Sequence, residues 1–125
     1  MPIKSFRDLQ VWQAGMHLCS STYQLVRKLP KSEQFGLISQ MQRASVSVPA
    51  NIAEGYHRQS DRELCRFLLI AMGSLAELQT YMYLCIELEY VKAESLAAIF
   101  AEADETAKML HGFLSKAREA LAGNK

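Results

Sequence analysis

From Leu64 onward the apolar residues advance in alternating steps of four and three: Leu64, Leu68, Ala71, Leu75, Leu78, Met82 and Cys85. Phe67, Ile70, Ser74, Glu77, Tyr81, Leu84 and Leu88 keep the same rhythm on a second seam. That stepping suits a helix packed at a shallow angle against others, as in a left-handed bundle. Ser60-Asp61-Arg62-Glu63 opens the segment as a capping box, because the serine hydroxyl and the glutamate carboxylate answer each other's backbone N–H groups. A helix over residues 61–89 is predicted. Its two seams would make it the most buried member of its fold.

The other segments read as partners for it. Ser5 and Asp8 form a weaker capping box before a first helix over residues 6–29, stopped by Pro30. That helix carries two apolar rows: Leu9, Trp12, Met16, Cys19, Tyr23 and Val26 in one, Val11, Leu18, Thr22, Leu25 and Leu29 in the other. One row can face the core, and the second implies deep burial or a contact between subunits. The second helix is expected over residues 35–54, with Gly55 as its stop. Pro49 lies inside it and removes one N–H, so a kink is expected, with two shorter helices broken near Val48 as the alternative. Ser45 and Ser47 are placed to help satisfy the carbonyl that Pro49 leaves without a donor. A fourth helix over residues 93–122 shows one clean seam: Leu96, Phe100, Ala103, Ala107, Leu110, Leu114, Ala117 and Leu121. No sustained period-two run competes. Short connections make successive helices antiparallel, so the chain is expected to form one all-α domain: an up-down-up-down, left-handed four-helix bundle with a Pro-kinked second helix.

Composition adds boundaries. Length suits a single domain with a real core, and half the residues are hydrophobic. Cys19, Cys65 and Cys85 form no CxxC pair and sit in apolar patterns, which suits small core residues in a reducing compartment. The N-terminus has no apolar run of the signal-peptide kind, and no uninterrupted apolar run reaches membrane-spanning length. A cytoplasmic protein with no membrane role is expected.

The net charge of +1 hides an uneven distribution. In an alternating bundle one end collects Lys4, Arg7, Arg58, Arg62, Arg66, Lys108, Lys116, Arg118 and Lys125 against Asp8, Glu54, Asp61, Glu63 and Glu119. The other end collects Arg27, Lys28, Lys31, Arg43 and Lys92 against eight acids. A basic end on a ring-forming protein would attract phosphates without reading bases. Lys4, Arg7, Arg58, Arg62 and Arg66 are the nucleic-acid-binding candidates. Tyr56 and His57 stand beside Arg58, where they could stack on unpaired bases.

A polar stripe runs along the second helix through Gln40, Arg43, Ser47, Asn51 and Glu54, beside an apolar one through Leu37, Met41, Ala44, Val48 and Ile52. Arg43 and Glu77 fall at matching heights, which predicts an ion pair between the second and third helices. Asn51 and Glu54 are expected to hydrogen-bond near the kink, toward loop amides around Gly55. Arg43, Asn51, Glu54 and Glu77 are thus a structural polar stripe. No catalytic residue, cofactor or metal site is expected. His17, His57 and His111 lie in separate elements, there is no HExxH or Gly-rich phosphate loop, and the one Glu-x-x-His spacing, Glu54 to His57, straddles Gly55.

The runs FRDLQVWQAG, LPKSEQFGLISQMQRASVSVPANIAEGYHR and FLLIAMGSLAELQT resemble the four-helix-bundle family encoded in intervening sequences of bacterial 23S ribosomal RNA genes. Trp12, Arg43, Pro49, Asn51, Glu54, Gly55 and Glu77 occupy its motif positions. The resemblance implies a small bundle that assembles into a homopentamer, with no established enzymatic activity. It also points to a nucleic-acid role, by way of related pentameric bundles that accompany diversity-generating reverse transcriptases. The leading expectation is a non-enzymatic oligomer that binds RNA or DNA nonspecifically at its basic end. The alternative is a structural or protein-partner module using the spare apolar rows.

Overall fold

A computed structural model describes residues 3–123. Four helices carry the fold: α1 (Gln10–Val26), α2 (Leu37–His57), α3 (Asp61–Glu87) and α4 (Ala97–Gly123). No strand occurs among the described residues. Each helix packs on its two neighbours in a closed square, α1 on α2, α2 on α3, α3 on α4 and α4 on α1. Contacts between helices run in opposite chain directions. Cys19 meets Ser45, and Gly15 meets Pro49; Met41 meets Cys85, Ser47 meets Ser74, and Gly55 meets Phe67. Gln79 meets Asp104 and Tyr83 meets Phe100, while His17 and Ser21 meet Glu102. The up-down-up-down bundle is therefore the observed architecture.

The core follows the seams with one redistribution. The first α3 seam is buried from Leu68 to Cys85; Leu96 is buried just before α4, and α4 buries Ala103, Leu110, Leu114 and Ala117. On α1 Val11, Leu18, Thr22 and Leu25 face inward, with Leu29 buried just past its end, while Met16 and Tyr23 of the other row stay exposed. The second α3 seam does not close: Ile70, Glu77, Leu84 and Leu88 face solvent. A helix in a square touches two neighbours and keeps an outer side, so α3 is not wholly enclosed. The core threonines are satisfied locally, whereas the buried Ser74 bonds Ser47 across the α2–α3 contact at 2.7 Å. Thr22 and Thr106 each donate to the carbonyl one turn back, at 2.8 Å.

Boundaries differ from the sequence reading for identifiable reasons. The first helix starts as a short 3₁₀ turn, Phe6–Asp8, and Leu9 is extended before α1 begins. The Ser5–Asp8 capping box is present, but it opens that turn rather than the long helix. α2 runs unbroken through Pro49, so it is one helix and not two. The hydroxyls of Ser45 and Ser47 bond elsewhere, Ser45 to the Gln42 carbonyl and Ser47 to Ser74. Pro49 itself packs on Gly15, where a side chain on α1 would already be in van der Waals contact with the ring.

Gly55 does not stop α2. It is buried inside the helix, where a Cβ would lie 2.8 Å from the Phe67 Cβ. Its missing side chain lets α2 and α3 approach closely, and the chain turns instead at Gln59, which is left-handed at φ 56. At the opposite end Glu89 takes the left-handed position at φ 63. The Tyr90 N–H reaches back to the Cys85 carbonyl and the Glu89 N–H to that of Ile86, both at 2.9 Å, a Schellman ending with glutamate where glycine is usual.

Candidate nucleic-acid interface

The amino-terminal turn is pinned by its own hydrogen bonds. One Asp8 carboxylate oxygen accepts from the N–H groups of Lys4 (2.9 Å) and Ser5 (3.2 Å), and Gln13 donates to the Arg7 carbonyl (2.9 Å). The Arg7 guanidinium lies over the Phe6 ring at 4.7 Å, and Phe6 meets Trp12 edge-on. This turn stands beside the α2–α3 connection, and between them opens a cleft of about 760 Å³. Lys4, Arg7, Tyr56, His57, Gln59 and Asp61 are among the residues on its walls.

The five candidate cations divide into two kinds. Arg58 is held by Glu54 and Glu63, each at 3.1 Å, and Arg66 by Glu63 at 3.0 Å. Both guanidiniums also lie over the Phe67 ring, at 5.0 and 4.5 Å. The hydrogen bond from Arg66 is the largest influence on Glu63 and holds its carboxyl below the usual carboxylate range, against partial desolvation; the charges of Arg66 and Arg58 add to it. Lys4, Arg7 and Arg62 are exposed and make no ion pair among the described residues. The α3–α4 register, with Gln79 beside Asp104, brings Lys116 and Arg118 to this same end. The same register sets Lys108 near the waist of the bundle rather than at the end. Lys125 lies outside the described residues.

The residues of the expected polar stripe bond differently from the expectation. Arg43 and Glu77 line one small groove between α2 and α3 with Gln40, Ser47 and Ser74, but they form no ion pair and both are exposed. Asn51 donates back one turn to the carbonyl and hydroxyl of Ser47, both at 2.8 Å, and Glu54 accepts from Arg58 one turn on. Neither reaches loop amides near Gly55, because the helix continues there and i,i+4 neighbours are closer.

Two clusters escaped the sequence reading because their members are far apart in the chain. Glu33 caps α2, accepting from the Leu37 N–H at 3.1 Å and from the Tyr90 hydroxyl at 2.7 Å. The tyrosine bond, then the backbone bond, holds its carboxyl below the usual range against a small desolvation effect, and the Tyr90 phenol is pushed up chiefly by the same bond. Burial, with the Glu33 charge behind it, pushes the Cys85 thiol up, so it stays protonated beside the Met41 sulfur. Glu102, brought from α4, contacts His17 at 2.8 Å and accepts from Ser21 at 3.0 Å. A single histidine with a single carboxylate is no metal cage, and no group of three metal-ligating side chains occurs among the described residues.

Fold and surface together define an antiparallel four-helix bundle with cations gathered at one end. A family model described as 23S rRNA-intervening sequence protein matches residues 7–112, and the chain belongs to that family. The bundle is also similar to a crystal structure of a protein of unknown function from the S23 ribosomal protein family of Bacteroides thetaiotaomicron. The two share 25% identity at a TM-score of 0.76, over 83% of this chain and 97% of the other. Among curated proteins none matches.

Proposed function

We propose that the protein is a non-enzymatic, cytoplasmic bundle that assembles with copies of itself and holds RNA or DNA by its phosphates at the basic end. The observation that carries this reading is the sorting of cations there. Among the described residues Lys4, Arg7 and Arg62 have no carboxylate partner of the kind that holds Arg58 and Arg66, so their charge is available to a polyanion. A pentamer is the state the family resemblance implies. Self-association is supported by the outer side of α3, where Leu69, Ile70, Leu84 and Leu88 are each 38–49% exposed. That apolar strip also explains why α3 has the length and mean hydropathy, 1.3, of a membrane-crossing helix while packing between α2 and α4. A ring would set several basic ends side by side and sum their potentials. Sedimentation of the pure protein with and without a short RNA tests both parts. Multimers that take up RNA at low salt and release it steeply as salt rises are expected. Monomers, or RNA uptake indifferent to salt, refute the respective part.

The second reading is a protein-partner module. It rests on the same α3 strip and on Phe35, 91% exposed in the connection before α2. A monomer in sedimentation that ignores RNA would favour it.

A further inference from the structure

We infer that the cleft between the amino-terminal turn and the α2–α3 connection seats one unpaired nucleotide, making the ligand of the basic end a single strand rather than a duplex. The inference rests on the proposed nucleic-acid role and names its substrate class. The cleft measures about 760 Å³, within the range of sites that enclose small organic ligands. Its walls supply both halves of what a nucleotide requires. Lys4, Arg7 and His57 bring nitrogen donors for a phosphate, and Tyr56 brings a half-buried aromatic surface for a base. The Phe6 ring is already occupied by Trp12 and Arg7, so Tyr56, partly buried against the core, and the His57 imidazole are the ring surfaces left on the wall, Tyr56 being the larger. Gln59 stands on the cleft wall with a side-chain amide able to donate and accept at a base edge.

The walls are also set before any ligand arrives. Asp8 and Gln13 fix the turn that carries Lys4 and Arg7, and the close α2–α3 approach at Gly55 fixes the height of Tyr56 and His57. A preformed site spends little of its binding energy on ordering itself. In a duplex each base is stacked and paired, so none can enter such a cleft without first breaking those contacts; a single strand has bases already free. The cleft therefore favours single strands, whereas the phosphate contacts of Arg62 and its neighbours serve both forms.

The experiment compares a labelled short oligouridylate with an RNA duplex of equal length by fluorescence anisotropy at low salt. The full chain is expected to bind the single strand about tenfold tighter or more, the usual scale of one good stacking contact. Tyr56→Leu, which keeps an apolar side chain in place, should bring single-strand affinity down to the duplex level and leave the salt dependence unchanged. Tyr56→Phe should retain the preference. Gln59→Glu, at an exposed turn position, should weaken the single strand more than the duplex, and it decides the matter if Tyr56→Leu fails to fold by circular dichroism. Equal affinity for both forms, or a folded Tyr56→Leu with its preference intact, overturns the cleft assignment while leaving phosphate binding at the basic end standing. Binding of neither form removes both.

Discussion

The two ends of the bundle treat charge in opposite ways. At the end holding the α1–α2 and α3–α4 connections, Glu33 is consumed by architecture: it caps α2 and clasps Tyr90 across 57 positions of sequence. At the other end the carboxylates are too few. Glu54 and Glu63 hold Arg58 and Arg66, and Lys4, Arg7 and Arg62 have no such partner among the described residues. The difference separates charge that builds the protein from charge left over for a ligand. A net charge of +1 conceals it, since the total is blind to which groups are paired.

Substitutions can break or sharpen that contrast. The largest effect is expected at the Gly55 contact. Gly55→Val drives a branched side chain into Phe67 and should destabilise the fold by about 1–3 kcal/mol in chemical denaturation, since overpacking a tight contact costs that much. Next comes the division among the cations. Lys4→Gln and Arg62→Gln should each lower the slope of log affinity against log salt by about 0.7 for a single strand. Arg66→Gln, already neutralised by Glu63, should leave the slope almost unchanged. Titration of oligonucleotide binding at several salt concentrations reads all three.

At the acidic end the effect should appear as pH dependence. The Glu33 carboxyl sits below its ordinary range, so its contribution is present at neutral pH and lost as pH falls through its folded value. Glu33→Gln should melt at a lower temperature than the wild type at neutral pH, and the gap should close in acid, as pH falls through the lowered folded value. The Tyr90 phenol, pushed up, contributes below its ordinary range and loses that contribution in alkali, so the clasp should be strongest between the two limits. Equal melting temperatures at neutral pH would remove Glu33 from the account. The smallest change is a gain: Glu89→Gly relieves a left-handed backbone and should stabilise the protein by about 0.5–1 kcal/mol in the same thermal melts.

Much of the fold was legible because periodicity is a local property. The steps of four and three placed the inward seams of α3 and α4, and short connections imposed alternating direction. What misled was the meaning of single residues. Gly55 reads as a helix stop, since glycine commonly ends helices, yet the residue that turns the chain is Gln59. Only the packing of Phe67 against the glycine shows why. Arg43 and Glu77 reach matching heights as read, but height does not fix the lateral angle or length at which two side chains meet, and they stay apart. The candidate cations could be gathered at one end from topology alone. Their sorting into paired and unpaired groups needed coordinates, because Arg58, Glu63 and Arg66 meet across a turn whose path the sequence misplaced.

By itself the sequence determined the number of helices, their direction and the faces they bury, because hydrophobic burial acts through a repeat that each segment carries within itself. Tertiary structure alone decided which glycine is a contact, which carboxylate clasps which partner and where a cleft opens. Those outcomes depend on distances between segments far apart in the chain, set by the shapes of several side chains meeting at once.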